Sequence, residues 1–216
     1  MKCLIRLATA ADAKPLTDLI NHAYRGEGGW TTEMDLVGGQ RASLSDVTSW
    51  LQEQEQEGET SKQPIFVAVE DHCDCTSGKD SPTTAGDHSS STPSLSSSAC
   101  TTHQRAPLLG CVQPARAGHQ GNIQEQEGIA ILGLFAVAPQ YQSQGIGKAL
   151  IHHALNHMRE AWHCTKCIIT VIEVRHDIIR WYEKLGFTWD GVTTKPFVLP
   201  ELAKKQFLFR VMEKIL

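Results

Sequence analysis

VAPQYQSQGIGKALI, residues 137–151, is the stretch from which the rest of the chain can be read. It follows GIAILGLFAVAP (128–139), a nearly continuous apolar run of the kind found in a strand at the centre of a sheet. It leads into GKALIHHALNHMREAW, where Ile146, Leu150, Ala154 and Met158 recur every four residues with Ala149 beside them. That spacing predicts a helix with one core-facing stripe. The stretch is therefore a glycine-bearing turn from a buried strand to a helix start. Such a turn presents backbone N–H groups and the partial positive charge of the helix end to an anion. Two familiar phosphate loops fail on spacing. In the GxxxxGK[ST] pattern, Gly147–Lys148 is followed by Ala149, and Gln142 stands where the first glycine belongs. In the GxGxxG pattern, Leu150 replaces the third glycine. What remains is Q-x-x-G-x-G over Gln142, Gly145 and Gly147, with Lys148 and the side chains of Gln142, Ser143 and Gln144 as further donors. A glycine-eased turn that binds nothing has the same spacing.

Upstream, LIRLATAADAKPLTDLINHAYRG reads as a strand, a turn and a helix. Thr9 stands at the N-cap with Asp12 three residues on, a short-armed capping box, and Leu16, Leu19, Ile20 and Ala23 form one stripe. SLSDVTSWLQEQEQEGE is a second helix, capped at Ser43 or Ser45 and ended by Gly58. PIFVAVE (64–70) and LLGCVQPAR (108–116) read as strands. Between them, at about 71–107, lies a Ser/Thr-rich insertion with too few large apolar residues to offset the entropy of ordering, so disorder is expected there. A second polar loop occupies about 116–128. Downstream, KCIITVIEV (166–174) is a buried strand, and RHDIIRWYEKLGF is a helix whose Gly186 suits the left-handed C′ position. FTWDGV and QFLFRVMEKI close the chain as alternating strands. The order β-α-α-β-insert-β-β-α-β-α-β-β predicts a mixed α/β (α+β) sheet that is not doubly wound. Its length of 216 residues suits one domain carrying these insertions.

The net charge is −4, and no basic stripe with interleaved aromatics appears, so nucleic acid is not an expected partner. No apolar run reaches the ~20 residues of a membrane span, and the N-terminal residues carry no signal-peptide pattern. Seven cysteines without a framework read as reduced thiols of a cytoplasmic protein. HCDC (72–75) and HCTKC (163–167) lack a second pair at matching spacing, so free thiols are expected and no metal.

Two motifs in order, QSQGIG (142–147) and WYEKLGF (181–187), separated by a helix and a strand, resemble the GNAT superfamily of acyl-CoA-dependent N-acetyltransferases. That family carries [R/Q]-x-x-G-x-[G/A] after a central strand and a later FYEKLGF-like string. The resemblance covers the chain apart from the polar insertions. It implies a mostly antiparallel mixed sheet of about six or seven strands, splayed at the coenzyme A site and flanked by about four helices. It implies that Gln142, Ser143, Gln144, Gly145, Ile146, Gly147 and Lys148 cradle the pyrophosphate of acetyl-CoA. Phe135, Ala136 and Val137 would then offer backbone groups to the pantetheine arm. Tyr182 would protonate the leaving thiolate, although a core tyrosine fits the same position. The reaction implied is attack of a primary amine, of a small molecule, on the thioester within a ternary complex, with no metal. A protein or peptide acetyltransferase and a non-catalytic CoA-binding module are the alternatives. An alkyl ammonium of pKa ~10.4 must first lose its proton, and Glu33 and Glu173 are the candidate bases. Many family members carry Asn where this chain has Arg175, which can reach the cofactor or bind an acceptor carboxylate. Trp30, Thr31 and Arg41 are acceptor-site candidates, and a monomer or homodimer is expected.

Overall fold

The splayed centre of the sheet explains the rest of the architecture. The computed structural model describes residues 3–26, 33–58, 61–71, 106–118, 126–197 and 200–216. Its strands are β1 (Cys3–Leu7), β2 (Phe66–Glu70), β3 (Leu108–Arg116), β4 (Ile129–Val137), β5 (Lys166–Ile172), β6 (Thr188–Pro196) and β7 (Leu208–Ile215). The helices are α1 (Ala13–Arg25), α2 (Leu44–Glu57), α3 (Ile146–Glu160) and α4 (His176–Lys184). One seven-stranded sheet runs β1-β2-β3-β4-β5-β7-β6, and every pair is antiparallel except β4–β5. That parallel pair meets only at Ile129↔Lys166, Ala130↔Cys167 and Ile131↔Ile168. Beyond it β4 stays with β3 and β5 stays with β7, so a gap opens between their C-terminal halves.

The element order is the one the sequence predicts, and β3 has the expected limits. β6 departs from expectation. It runs on to Pro196 and is exposed along most of its length, because it is the sheet's edge strand and has no second face to bury. The Ser/Thr-rich insertion falls almost wholly outside the described residues, as does much of the second polar loop. No helix among the described residues is long and apolar enough to cross a membrane.

Each face of the sheet buries its own cluster. On one face Ala130, Leu132 and Val137 of β4 and Cys167, Ile169 and Val171 of β5 pack with Ile146, Leu150, Ala154 and Met158 of α3 and with Ile179 of α4. On the other, Leu134 and Ala136 of β4 pack with Leu16, Leu19, Ile20 and Ala23 of α1 and with Val47 and Leu51 of α2. The caps are as the sequence suggests. Ser43 accepts from Asp46 N at 3.1 Å, and Gly186 takes φ +87° directly after the α4 C-cap.

Pro114 lies inside β3, where a missing N–H would normally break the ladder. It is accommodated by a bulge: Val112 pairs with Phe135 and Pro114 with Leu132, so β4 advances three residues where β3 advances two. The extra residue falls at Gly133–Leu134, in the wall of the gap. Nearby, β3 and β4 approach over Gly110, where a Cβ would meet Ala136 O at 2.8 Å and Leu150 Cδ1 at 2.9 Å. The backbone oxygen cannot yield cheaply. Gly110→Ala is expected to cost ~1–3 kcal/mol as an overpacking strain, read as a fall in the thermal denaturation midpoint of several degrees.

Candidate active site

The gap between β4 and β5 is the mouth of a cavity of about 540 Å³. β4 contributes Leu132, Gly133, Phe135 and Val137, and β5 contributes the whole run Ile169–Ile172. The cavity is lined from both faces of the sheet. From the α3/α4 face it is lined by Gln142, Ser143, Gly145, Gly147, Lys148, Arg175, Ile178, Trp181 and Tyr182, and from the α1 face by Tyr24 and Glu33.

The anion end is built by the turn before α3. Ser143 and Gly145 both hold positive φ, +62° and +85°, an alternation that turns successive N–H groups to one concave side. Gly145 is the N-cap of the 15-residue α3, whose Ile146 is sunk in the core at 1 % exposure and so fixes the helix start. Gln142 Nε2 donates to Val137 O at 3.1 Å and Gln144 Nε2 to Gln140 O at 3.2 Å. These amides tie the loop to itself, a structural use that the sequence does not reveal. Gln144, Ile146 and Ala136 are not among the lining residues, and Ala136 is packed on the α1 side. At Gly147 a Cβ would stand 3.1 Å from Phe135 Cζ and 3.6 Å from Trp181 Cζ2. Phe135 and Trp181 stack there, 5.7 Å apart and 16° from parallel. The helix end, the N–H array and Lys148 suit a phosphate group, and a cavity of this size has room for a slender ligand arm. Gly147→Val is expected to weaken coenzyme A binding by ~10-fold or more, because the side chain must enter the space in front of the stack. A binding titration beside a melting curve separates this from unfolding.

Tyr182 reaches the cavity from α4 at 7 % exposure, its ring edge-on to Trp181 at 4.9 Å and Phe187 at 5.5 Å. Burial pushes its hydroxyl far above the ordinary tyrosine range, with the Tyr24 and Cys167 groups adding to the shift. Arg175 lines the cavity at the N-cap of α4 and faces Asp177, Nη2 to Oδ2 at 3.0 Å.

On the α1 face Glu33 lines the cavity, and its Oε2 lies 3.1 Å from Arg25 Nη1. Glu173 is elsewhere. It follows β5, accepts from Leu208 N at 3.0 Å, and is not among the lining residues. Arg41 holds its guanidinium 5.3 Å over the Tyr24 ring. Trp30 and Thr31 lie outside the described residues. Cys164 and Cys167 are buried free thiols, and no group of metal-ligating side chains occurs among the described residues.

Tyr24 is the residue that sequence reasoning missed. Its hydroxyl donates to Phe135 O at 2.8 Å and accepts from Phe135 N at 3.4 Å, holding β4 where β5 has left it. Burial pushes its pKa up to about 12, with Arg41 acting against the rise and Glu33 with it. The available signal was the α1 stripe, since Tyr24 follows Ile20 by one helical turn.

A glycine-bearing strand-to-helix turn thus stands beside a gap lined from both faces of the sheet. Residues 97–187 match the model of the acetyltransferase (GNAT) family. The fold agrees over the whole chain. The chain is similar in structure to yncA from Salmonella typhimurium, solved with its cofactor acetyl-CoA, with a TM-score of 0.59 at 16% identity over 100% of this chain and 94% of that one. It is similar too to spermidine N-acetyltransferase from Vibrio cholerae in complex with CoA and spermine, with a TM-score of 0.61 at 13% identity over 99% and 95%. The family match covers 91 of the 216 residues, and the likeness to the solved structures is one of fold. In sequence the chain is 28% identical over 60 residues to spermine/spermidine N(1)-acetyltransferase of Bacillus subtilis, a match spanning 28% of this chain and 40% of that protein.

Proposed function

We propose that this chain transfers an acetyl group from acetyl-CoA to a primary amine of a small molecule, by direct attack within a ternary complex. The observation that carries this reading is the cavity lined from both faces of the sheet, with the glycine-bearing turn and Lys148 on one side and Tyr24 and Glu33 on the other. A cofactor held from the α3/α4 face puts its thioester in the gap, where an amine arriving from the α1 face can meet it without a covalent enzyme intermediate. The C–N bond forms as the C–S bond breaks. The ammonium proton leaves to the Glu33 side or to solvent, and the sulfur departs toward Tyr182. Because burial keeps the Tyr182 proton bound well above the ~8.5 of a thiol, that hydroxyl works by donating a hydrogen bond to the departing sulfur rather than by ionising. A thiol-release assay with acetyl-CoA against amines, amino acids and peptides tests the reading. Turnover of small amines is expected. Preference for peptides would move the acceptor class, and no release with any amine, alongside retained CoA binding, would leave only a binding module.

A further inference from the structure

We propose that the acceptor amine carries a carboxylate and that Arg41 is the residue that recognises it. This rests on the small-molecule reading above and narrows it to one substrate class.

The first observation is how Arg41 is presented. Asn21 on α1 accepts from Arg41 N at 2.8 Å and from Ala42 N at 3.3 Å, and it donates to Ala42 O at 2.8 Å. The backbone at 41–42 is thus clamped to the helix that carries Tyr24. The guanidinium lies over the face of the Tyr24 ring, a cavity-lining residue. A surface arginine usually disperses its charge among many rotamers. This one, though exposed, lies over a ring that lines the gap.

The second observation is that its charge is unanswered. Arg175, which lines the cavity, faces Asp177, and Arg25 faces the cavity-lining Glu33. Among the described residues Arg41 has the Tyr24 ring and no acidic partner. A guanidinium keeps its charge at any working pH and presents a planar fork that fits a carboxylate through two hydrogen bonds.

The third observation concerns the sign of the field. Among the described residues Glu33 is the one carboxylate lining the cavity, and Arg25 already balances it, with the two side chains only 20 % and 15 % exposed. Arg41 therefore stands beside Tyr24 as a cation without an acidic partner among the described residues. A polyamine keeps at least one ammonium group when another nitrogen is deprotonated for attack, and that cation needs an uncommitted carboxylate. An amine with a carboxylate has the opposite requirement, which Arg41 meets. The acceptor class inferred here thus differs from the polyamines acted on by the Bacillus subtilis relative.

The test uses the full chain and thiol release from acetyl-CoA. Acceptors are ω-amino acids of increasing length, each beside its carboxamide, with spermidine as the polyamine arm. For at least one length the acid is expected to exceed its amide in kcat/KM by ~10-fold or more, the range of a hydrogen bond to a charged group. In Arg41→Gln that acid-to-amide ratio falls to near one through KM, and Arg41→Lys restores part of it. Melting curves and CoA titration accompany each variant, and the wild-type ratio stands without any variant. Equal use of acid and amide at every length, a preference for spermidine, or an acid preference that survives Arg41→Gln would each overturn the proposal. If no amine, spermidine included, releases thiol while CoA still binds, the acetyl-transfer reading itself fails and the proposal falls with it.

Discussion

Asp12→Asn is expected to lower folding stability by about 3 kcal/mol, the lower end of the range for removing one partner of a buried ion pair. The carboxylate is wholly buried between β1 and the start of α1. One oxygen accepts from Arg6 Nη1 at 2.7 Å, Thr9 N at 2.8 Å and Thr9 Oγ1 at 3.0 Å, while the other accepts from Arg6 Nη2 at 3.0 Å. Asparagine keeps the shape but offers one oxygen, and its amide directs N–H groups at N–H donors. Arg6 retains 31 % of its side-chain exposure, so water recovers part of its solvation, which sets the lower figure. The same site sets an acid limb. Burial alone would raise the Asp12 pKa, but the hydrogen bonds from Arg6 and Thr9 outweigh it and hold the carboxyl well below the ordinary range. The folded pKa therefore lies below the unfolded ~3.9. Its stabilisation is present above that value and is lost as pH falls toward the folded pKa. Urea denaturation at neutral pH should show the loss. Repeated from pH 5 downward, it should show the variant declining less steeply than the wild type. Equal stabilities at neutral pH would mean that the Arg6 pair contributes nothing net. The site is remote from the cavity, so kcat at a permissive temperature should not change.

The capping role of Asp12 is legible in the sequence because Thr9-x-x-Asp12 is a local pattern. Its partnership with Arg6 is not, because that depends on how β1 meets the turn. The same division runs through the chain. The central strand, the α3 stripe and the glycine loop announce themselves by period and spacing, since burial on one face imposes them. Long-range polar contacts leave no such trace. Gln54 sits in EQEQE, which reads as a solvated run, yet it is 5 % exposed. Its amide donates to Ala8 O at 2.7 Å and accepts from Ile65 N at 2.6 Å, tying α2 to the chain on either side of β1 and β2. Helical period puts Gln54, and not Gln52 or Gln56, on the stripe of Val47 and Leu51, but it does not name the partners. The Tyr24–Phe135 contact spans 111 residues and is invisible for the same reason. The bulge at Gly133 needs the register opposite Pro114, which exists only once β3 and β4 pair. The α3 side of the cavity, built largely from consecutive residues, was therefore readable as one loop. The other side is lined by Tyr24, Glu33 and β5, which lie far apart in the chain, and of these the sequence singled out Glu33 alone.

Tyr182→Phe is expected to lower kcat by ~10²-fold, the lower end of what one hydrogen-bond donor to a developing negative charge contributes, with little change in KM for acetyl-CoA. The substitution removes one oxygen from a ring wedged against Trp181 and Phe187, so packing is preserved and the melting midpoint should move by only a few degrees. Among the described residues the hydroxyl has no hydrogen-bond partner, which leaves it free to serve the cavity. Its raised pKa makes a second, separable prediction. A group that stays protonated throughout the working range adds no alkaline limb, so the pH profile of kcat/KM should keep its shape in the variant while its height falls. The rising limb belongs to the acceptor, whose ~10.4 ammonium must be deprotonated before attack. An acceptor of lower amine pKa should therefore shift that limb toward acid in wild type and variant alike. Single-turnover measurement guards against product release hiding the chemical step. An unchanged single-turnover rate would reduce Tyr182 to a core aromatic. A limb that disappeared with the hydroxyl would make it an ionising acid, against the consequence of its burial.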